Sequence, residues 1–183
     1  MTNAVERTGR ADLHIHTVAS DGTASVTAVL ERAVDLGLDV IAITDHERID
    51  AAVAGRAIAQ DLGLPLEVIV GEEVTTLGGH LLALGLTTPV KSYRSMRTTI
   101  AEIHDQGGLA IPAHPLVPYP LCAQARTLRG LLDAGDPAVA PDAIETTFMG
   151  GRCARLDVTS IRTRNWKLPL AEPRSSSNLA RLP

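Results

Sequence analysis

Apolar and polar residues follow two different periods along the chain, which predicts strands alternating with helices. Polar and apolar positions alternate over 11–16, as in a half-buried strand. The continuous apolar run 40–43 is typical of a strand that is covered on both faces. Further strands are predicted over 67–76, 80–86, 109–111, 143–146 and 168–171.

Four helices are predicted between these strands, over about 25–37, 50–63, 92–106 and 123–134. Asp50 can cap the second helix, and Leu132 belongs to the apolar face of the fourth. The alternation of strands and helices predicts a parallel α/β architecture.

The length and composition fit one domain over residues 1–183 with an aliphatic core, because only 2% of the residues are aromatic. The net charge of −4 gives no general reason for binding nucleic acid or an anionic membrane. A phosphorylated substrate would therefore need local positive charge, most simply from bound metal ions.

The two cysteines, Cys122 and Cys153, are too few for a disulfide framework and indicate a reducing compartment. No apolar run reaches the roughly 18 residues of a membrane span, and the N-terminus lacks the pattern of a signal peptide. We expect a cytoplasmic protein without membrane contact. Its oligomeric state stays open.

Candidate metal ligands stand where the predicted strands begin or end. The set is His14, His16, Asp21, His46, Glu73, His80 and His114. Side chains at i and i+2 of a strand share a face, so the first two histidines can bind one cation. Asp12 has the same parity and could orient one of these imidazoles through its other ring nitrogen.

Each candidate also has an ordinary structural explanation. The two histidines of the first strand could lie on a solvated face, Asp21 could simply form a turn, and His80 could be structural. Glu72 and Glu73 face opposite sides of their strand, so one of them points into the site. The joint pattern favours a metal site, and mixed imidazole and carboxylate ligands suit Zn, Mn or Fe.

The motifs resemble those of a known family. Asp-Leu-His-Ile-His-Thr, Ile-Thr-Asp-His, Gly-Glu-Glu-Val-Thr-Thr and Pro-Ala-His-Pro occur in order between residues 11 and 146. They are similar to the PHP family, named after polymerase and histidinol phosphatase. The resemblance implies a distorted TIM-like (β/α)7 barrel with a three-metal phosphoesterase site at its C-terminal rim.

The resemblance also implies how the ligands divide among up to three divalent ions. His14, His16 and Glu73 correspond to the first ion. Asp21 and His46 correspond to the second. Glu73, as a bridging carboxylate, corresponds with His80 and His114 to the third. This assignment makes Glu72 the outward neighbour.

The segment 147–183 departs from the family pattern. Ser176 and Asn178 stand where the resemblance implies a late Asp and His. We therefore expect fewer than three ions and a barrel that is incomplete at its C-terminus. A degenerate or truncated family member and a shifted reading frame both explain this departure.

The predicted function is metal-dependent hydrolysis of a small phosphate monoester or nucleotide by activated water. His46 and Asp45 are weak candidates for proton transfer, and Arg48 is either a phosphate contact or a solvated surface residue. The alternative is a catalytically impaired metal-binding domain with a structural or regulatory role. Nucleic-acid processing is disfavoured by the acidic charge balance, and His104 is expected at the surface without a function.

Overall fold

A computed structural model describes residues 9–133 and 135–145. Its strands are β1 (Ala11–Ile15), β2 (Val40–Ile43), β3 (Glu67–Thr76), β4 (Gly79–Leu84) and β5 (Leu109–Pro112). Its helices are α1 (Val26–Asp35), α2 (Asp50–Asp61), α3 (Met96–Asp105) and α4 (Ala125–Leu132). The strand predicted over 168–171 and the tail with Ser176 and Asn178 lie outside the described residues.

The five strands form one sheet in the order β1-β2-β3-β4-β5. The pairs β1–β2 and β2–β3 are parallel, as predicted. The pairs β3–β4 and β4–β5 are antiparallel, so the expectation of a wholly parallel sheet is wrong at β4. The turn at 77–78 is the physical reason, because so short a connection can join only antiparallel strands.

The sheet is strongly curled. Strands β1 and β5 are its two outer strands, and in a flat sheet they would lie about 19 Å apart, since neighbouring strands are spaced by about 4.8 Å. His14 follows Leu13 in β1 and His114 lies just beyond β5, yet their ring centroids are 5.8 Å apart. The described residues thus form a mixed α/β half-barrel, and closure into a seven-stranded barrel stays a prediction.

Apolar side chains cover both faces of the sheet. The larger cluster lies between the sheet and the helices and includes Ile41, Ile43 and Ile100. The smaller cluster lies on the other face, inside the curl, and consists of Leu13, Ala42, Leu82, Leu84, Ile111 and Ala113. The inner cluster fills the half-barrel below the rim where the candidate ligands collect.

The helix boundaries agree with the sequence patterns except in detail. Ser25 caps α1 through its side chain. Asp50 does not cap α2, since Ile49 holds that position and the Asp50 carboxylate binds Arg48 at 2.6 Å instead. Leu132 is 56% exposed rather than buried, because it lies at the last residue of α4.

Residues 142–145 run beside β5 without forming the predicted strand. The Asp142 N–H donates to Ala110 O at 2.9 Å, and the Glu145 N–H donates to Pro112 O at 3.3 Å. The extended path is therefore as predicted, but a regular ladder is not formed over 143–145. Among the helices of the described residues, none is long and apolar enough to cross a membrane.

Candidate metal centre

The β3–β4 hairpin supplies the centre of the site. Glu73 pairs with Leu82 across the hairpin, so both face the inside of the curl. Its side chain is buried, with an exposed fraction of 1%. His46 lies two residues beyond Thr44, past the end of β2, and forms an isolated parallel bridge with Glu73.

Five imidazoles approach the Glu73 carboxylate. At Oε2 they are His14 Nε2 at 3.0 Å, His16 Nε2 at 2.8 Å and His46 Nε2 at 3.6 Å. At Oε1 they are His80 Nδ1 and His114 Nε2, both at 2.9 Å. A single buried carboxylate thus connects residues from every part of the half-barrel.

Asp21 completes the set of seven at the exposed side of the cluster. Its Oδ1 lies 2.5 Å from His16 Nδ1, and its Oδ2 lies 3.6 Å from His46 Nε2. Gly22 allows this turn to approach β1, because a Cβ at this position would collide with the backbone of His16 and Thr17. The structure therefore gathers all seven predicted side chains in one place.

Carboxylates fix the tautomers of His14, in β1, and of His16, just beyond its end, since an ionised carboxylate only accepts hydrogen bonds. His14 Nδ1 lies 3.1 Å from Glu145 Oε1, and His16 Nδ1 lies 2.5 Å from Asp21 Oδ1. Both Nδ1 atoms must donate, which leaves the two Nε2 atoms facing Glu73. These Nε2 atoms lie 3.1 Å apart and both approach Glu73 Oε2, so they either direct protons at that carboxylate or share a cation with it.

The pKa shifts describe the cluster without metal. Burial alone would lower the pKa of His14, but hydrogen bonds to Glu145 and Glu73 raise it to about 10. The pKa of His16 is raised against its burial by Glu73 and Asp21. Burial would raise the pKa of Glu73, but the surrounding imidazoles hold it far below its ordinary range. Protons therefore occupy the positions that a cation could take.

Three groups of donor atoms are close enough to share an ion. They are His14, His16 and Glu73; His16, Asp21 and His46; and His46, Glu73 and His80. Ligand atoms of a tetrahedral ion lie about 3.3 Å apart when each bond is about 2.05 Å, so the donor atoms of the first group, now 2.8 to 3.1 Å apart, would have to separate only slightly to hold one. The first group is the predicted one, while the third contains His46 where the resemblance implied His114.

Asp45 holds a loop in place and does not contact the Glu73 cluster through any described hydrogen bond. Its Oδ1 accepts from the Thr17 N–H at 2.8 Å and from Ser20 Oγ at 2.5 Å, and its Oδ2 accepts from Thr17 Oγ1 at 2.8 Å. Its side chain is 1% exposed. These contacts favour a structural role over the proton-transfer role suggested by the sequence, because both oxygens already fix the loop that carries Asp21.

Arg48 lies at the site entrance, as predicted, but its guanidinium already has partners. Nε and Nη2 each donate to Asp50 at 2.6 Å, and Nη1 donates to Ala19 O at 3.0 Å. The residue lines a cavity of about 610 Å³ together with Asp21 and His46. Both interpretations of Arg48 stay open, since the ion pair is exposed and a phosphate could compete with Asp50.

A larger cavity of about 800 Å³ lies over the imidazole cluster. Tyr119 and Leu121 line it beside the ligands and are 67% and 48% exposed. Cys122 lies behind them with Sγ 3.1 Å from His114 Nδ1, and burial raises the pKa of this thiol. The cavity thus combines a polar floor with an apolar side.

Sequence reasoning missed the carboxylate that orients His14. Asp12 was the candidate, but its Oδ1 accepts from the backbone N–H of His14 at 3.3 Å. Glu145 contacts the ring nitrogen instead. The signal was available, because Glu145 closes the apolar stretch 143–144 in the same way that the other ligands close their strands.

His104 is outside the cluster. Its Nδ1 lies 2.9 Å from Ala138 O and its Nε2 lies 2.9 Å from Asp142 Oδ2. It therefore attaches the segment after α4 to α3, which is a structural role at a half-buried position rather than a free surface position.

Comparisons with known proteins agree with this geometry. The sequence profile of the PHP domain matches residues 12–117. An uncharacterized protein of Methanocaldococcus jannaschii is 35% identical over 120 residues, covering 60% of this chain and 69% of that protein. The 5'-3' exoribonuclease Rnm of Salmonella typhimurium is 41% identical over 93 residues, covering 50% of this chain and 31% of the exoribonuclease. The chain thus spans well under half of that enzyme.

A solved structure shares the fold. It is a two-domain protein from Bacteroides vulgatus that contains a predicted PHP-like metal-dependent phosphoesterase. The TM-score is 0.54 at 24% sequence identity, and the match covers 68% of this chain and 41% of that one.

Proposed function

Because the chain belongs to the PHP domain family, we propose that it is a metal-dependent phosphoesterase acting on a small phosphate monoester or a nucleotide. The observation that carries the proposal is the convergence of five imidazoles on the buried carboxylate of Glu73. A purely structural carboxylate would need one or two such partners, whereas a bridging ligand of clustered cations needs several.

The proposed ligands are the seven gathered side chains, and manganese, zinc or iron is the proposed metal. His14, His16 and Glu73 would hold one ion. Asp21 and His46 present donors for a second, and His16 can join only one of these two sites because its Nδ1 carries a proton. His80 and His114 both contact Glu73 Oε1 and would hold a third on that side. Ser176 and Asn178, at the late positions, are poor ligands, so we propose that these three positions hold fewer than three ions in all.

Clustered divalent ions would activate water and neutralise the phosphoryl oxygens. The residues of the chain hold this arrangement. Glu145 and Asp21 fix the Nδ1–H tautomers of His14 and His16, and Asp45 fixes the loop of Asp21. His46, with a side chain 27% exposed, is the proposed proton-transfer group at the entrance. Arg48 is the proposed phosphate contact once it leaves Asp50.

The reducing cytoplasm is the proposed compartment, since Cys122 is a free thiol. The proposed partner is a small phosphorylated substrate. A second candidate function is 5'-3' exoribonuclease activity, favoured by the name of the Salmonella typhimurium relative. The net charge of −4 and the few aromatic residues argue against it, because single strands are bound by basic and aromatic grooves.

Metal content and turnover test the proposal together. Purified protein should contain two or more transition-metal ions and hydrolyse p-nitrophenyl phosphate with added Mn²⁺. His14→Ala should lower turnover at least about 100-fold, since ligand and orienting residues typically matter by 10–100-fold or more. His104→Ala is the matched control, being the one histidine outside the cluster, and should keep both ions and turnover.

The alternatives give different results. One ion or none, with no turnover under added Mn²⁺, would favour the catalytically impaired metal-binding domain. Hydrolysis of 5'-phosphorylated RNA with little turnover of p-nitrophenyl phosphate or mononucleotides would favour the exoribonuclease. Salt dependence of RNA binding would support that outcome, because neutralised phosphates release counterions.

A further inference from the structure

Glu145 is a buried carboxylate that contacts both edges of the sheet. Its exposed fraction is 2%. Its Oε1 lies 3.1 Å from His14 Nδ1, and its Oε2 accepts from the backbone N–H of His114 at 2.5 Å. His14 belongs to β1 and His114 follows β5, so one side chain connects the two outer strands of the half-barrel.

The two contacts constrain two candidate ligands in different ways. On the β1 side the carboxylate fixes which nitrogen of His14 carries the proton, so that Nε2 is directed at Glu73. On the β5 side it fixes the backbone of His114, which has the unusual φ of 31°. A non-glycine residue with positive φ is strained, and it keeps that conformation only when its surroundings hold it there. The hydrogen bond from its N–H to Glu145 holds His114 in this conformation.

We propose that Glu145 is the positioning residue of the metal centre: it aligns His14 and His114 so that the two sheet edges direct their imidazoles at opposite oxygens of Glu73. The inference rests on the proposed metal site but not on turnover. It concerns a residue beyond the segment matched by the family profile, which ends at residue 117.

Asp142 provides a matched control within the same segment. Its Oδ2 accepts from the backbone N–H of Ala110 at 2.8 Å and contacts His104 Nε2 at 2.9 Å. Asp142 and Glu145 therefore make the same two kinds of contact, one with a backbone N–H at or beyond β5 and one with an imidazole. Only the imidazole bound by Glu145 belongs to the metal centre.

The experiment compares Glu145→Gln with Asp142→Asn. An amide has one acceptor oxygen and a donor NH₂ group, so the variant at 145 can satisfy His14 Nδ1–H or the His114 N–H but not both. Zinc affinity measured by chelator competition should fall 10- to 100-fold in Glu145→Gln. It should stay within about twofold of wild type in Asp142→Asn, whose amide oxygen can keep both contacts that Asp142 Oδ2 makes.

A second readout uses metal-free protein. Nitrogen-15 NMR of the imidazoles should show Nδ1–H protonation of His14 in the wild type and in Asp142→Asn, and a changed signal in Glu145→Gln. Glu145→Asp keeps the charge but withdraws the carboxylate by one methylene, so it should restore part of the affinity. It also provides the comparison if Glu145→Gln fails to fold.

Equal losses of affinity in Glu145→Gln and Asp142→Asn would overturn the proposal, because the effect would then be one of general stability. Wild-type affinity in Glu145→Gln would overturn it as well. A wild-type protein that binds metal but hydrolyses no phosphate ester counts against the proposed function alone, since the affinity comparison would still decide the role of Glu145.

Discussion

Glu72 and Glu73 are adjacent in β3, and their carboxylates face opposite sides of the sheet. Glu73 faces the imidazoles, which lower its pKa. Glu72 pairs with Ala83 on the helix-facing side and is fully buried, at 0% exposed. Its Oε2 accepts from the Val90 N–H at 2.9 Å, while Oε1 has no hydrogen-bond partner in the part of the chain that the structure describes.

We expect Glu72→Gln to stabilise the protein in a pH-dependent way. Burial raises the pKa of Glu72 to about 7 from its ordinary value of 4.5. In the wild type, stability falls as the pH rises from 4.5 to 7, because the folded protein must release a proton that the unfolded chain has already lost. Glu72→Gln has no carboxyl group to titrate here, so its free energy of unfolding should not fall in this way. Its free energy of unfolding relative to wild type should therefore rise between pH 4.5 and 7, by on the order of 3 kcal/mol.

Urea unfolding at pH 4.5, 6 and 8 in the presence of a chelator measures this difference. Glu31→Gln, at an exposed position of α1, controls for removal of a charge. A Glu72→Gln effect of the same size at all three pH values would contradict the assignment.

The sequence predicted that the seven side chains of the site lie together because parity and strand ends are local properties. It correctly made Glu72 face away from the site. It could not predict that this outward side chain is buried, since that depends on where the loop containing Val90 packs. Glu145 was missed although it ends an apolar stretch as the candidate ligands do, because its pairing with His14, 131 residues away, depends on how the two sheet edges meet.

At the level of elements, the β3–β4 hairpin is held against the loop that follows β5. The His80 N–H donates to Leu121 O at 2.8 Å. Gly79 has φ 120°, and a Cβ there would collide with the backbone of Ala123. The hairpin turn therefore needs glycine both for its backbone conformation and for the close approach of the loop.

We expect Gly79→Ala to destabilise the protein by at least about 2 kcal/mol, because strain and overlap with backbone atoms add. Gly130→Ala is the matched control, since its Cβ would meet nothing within 4 Å in α4. It should stabilise by about 0.5–1 kcal/mol through helix propensity. Urea unfolding of the three proteins measures both effects.

Equal changes in the free energy of unfolding for Gly79→Ala and Gly130→Ala would contradict this explanation. Zinc affinity should also fall in Gly79→Ala and stay unchanged in Gly130→Ala, because His80 follows Gly79 directly.

The five strands and four helices that the structure describes were predicted within a few residues, because their hydrophobic periods are strong, whereas no regular strand forms over 143–145. The direction of β4, which is antiparallel to both of its neighbours, was not predicted. Alternating strands and helices favour a parallel sheet, but the strands predicted over 67–76 and 80–86 are separated by only three residues, which requires an antiparallel pair. Helix α3 begins at Met96 rather than near 92, since Ser95 caps it through its side chain.

For the molecule as a whole, the curled sheet concentrates ionisable groups at one rim. Without metal, the raised pKa values of His14 and His16 mean that protons stabilise the fold. This stabilisation is fully present below pH 6.5 and is lost as the pH rises toward the folded pKa of His14, about 10. The lowered pKa of Glu73 contributes stability above pH 4.5 that is lost in acid.

We therefore expect the melting temperature of metal-free protein to decline between pH 6.5 and 9. Added Zn²⁺ should reverse the trend, because it replaces the protons and binds better as the imidazoles lose them. Thermal melts across this range, with chelator and with Zn²⁺, measure the effect. His14→Ala should reduce the decline, and His104→Ala should preserve it. A flat metal-free profile in the wild type would contradict the proposed proton occupancy.

The contacts that build the site join residues at very different separations in sequence. We expect the contacts between nearby residues to form first. His80 follows Glu73 within one hairpin, an element that forms in about 1–10 μs. The contact between His14 and Glu145 closes over 131 residues, and long-range closures of this kind come late. We therefore expect the hairpin to bring Glu73 and His80 together before the two sheet edges meet, and the complete set of donors to exist only after the last long-range contact has formed.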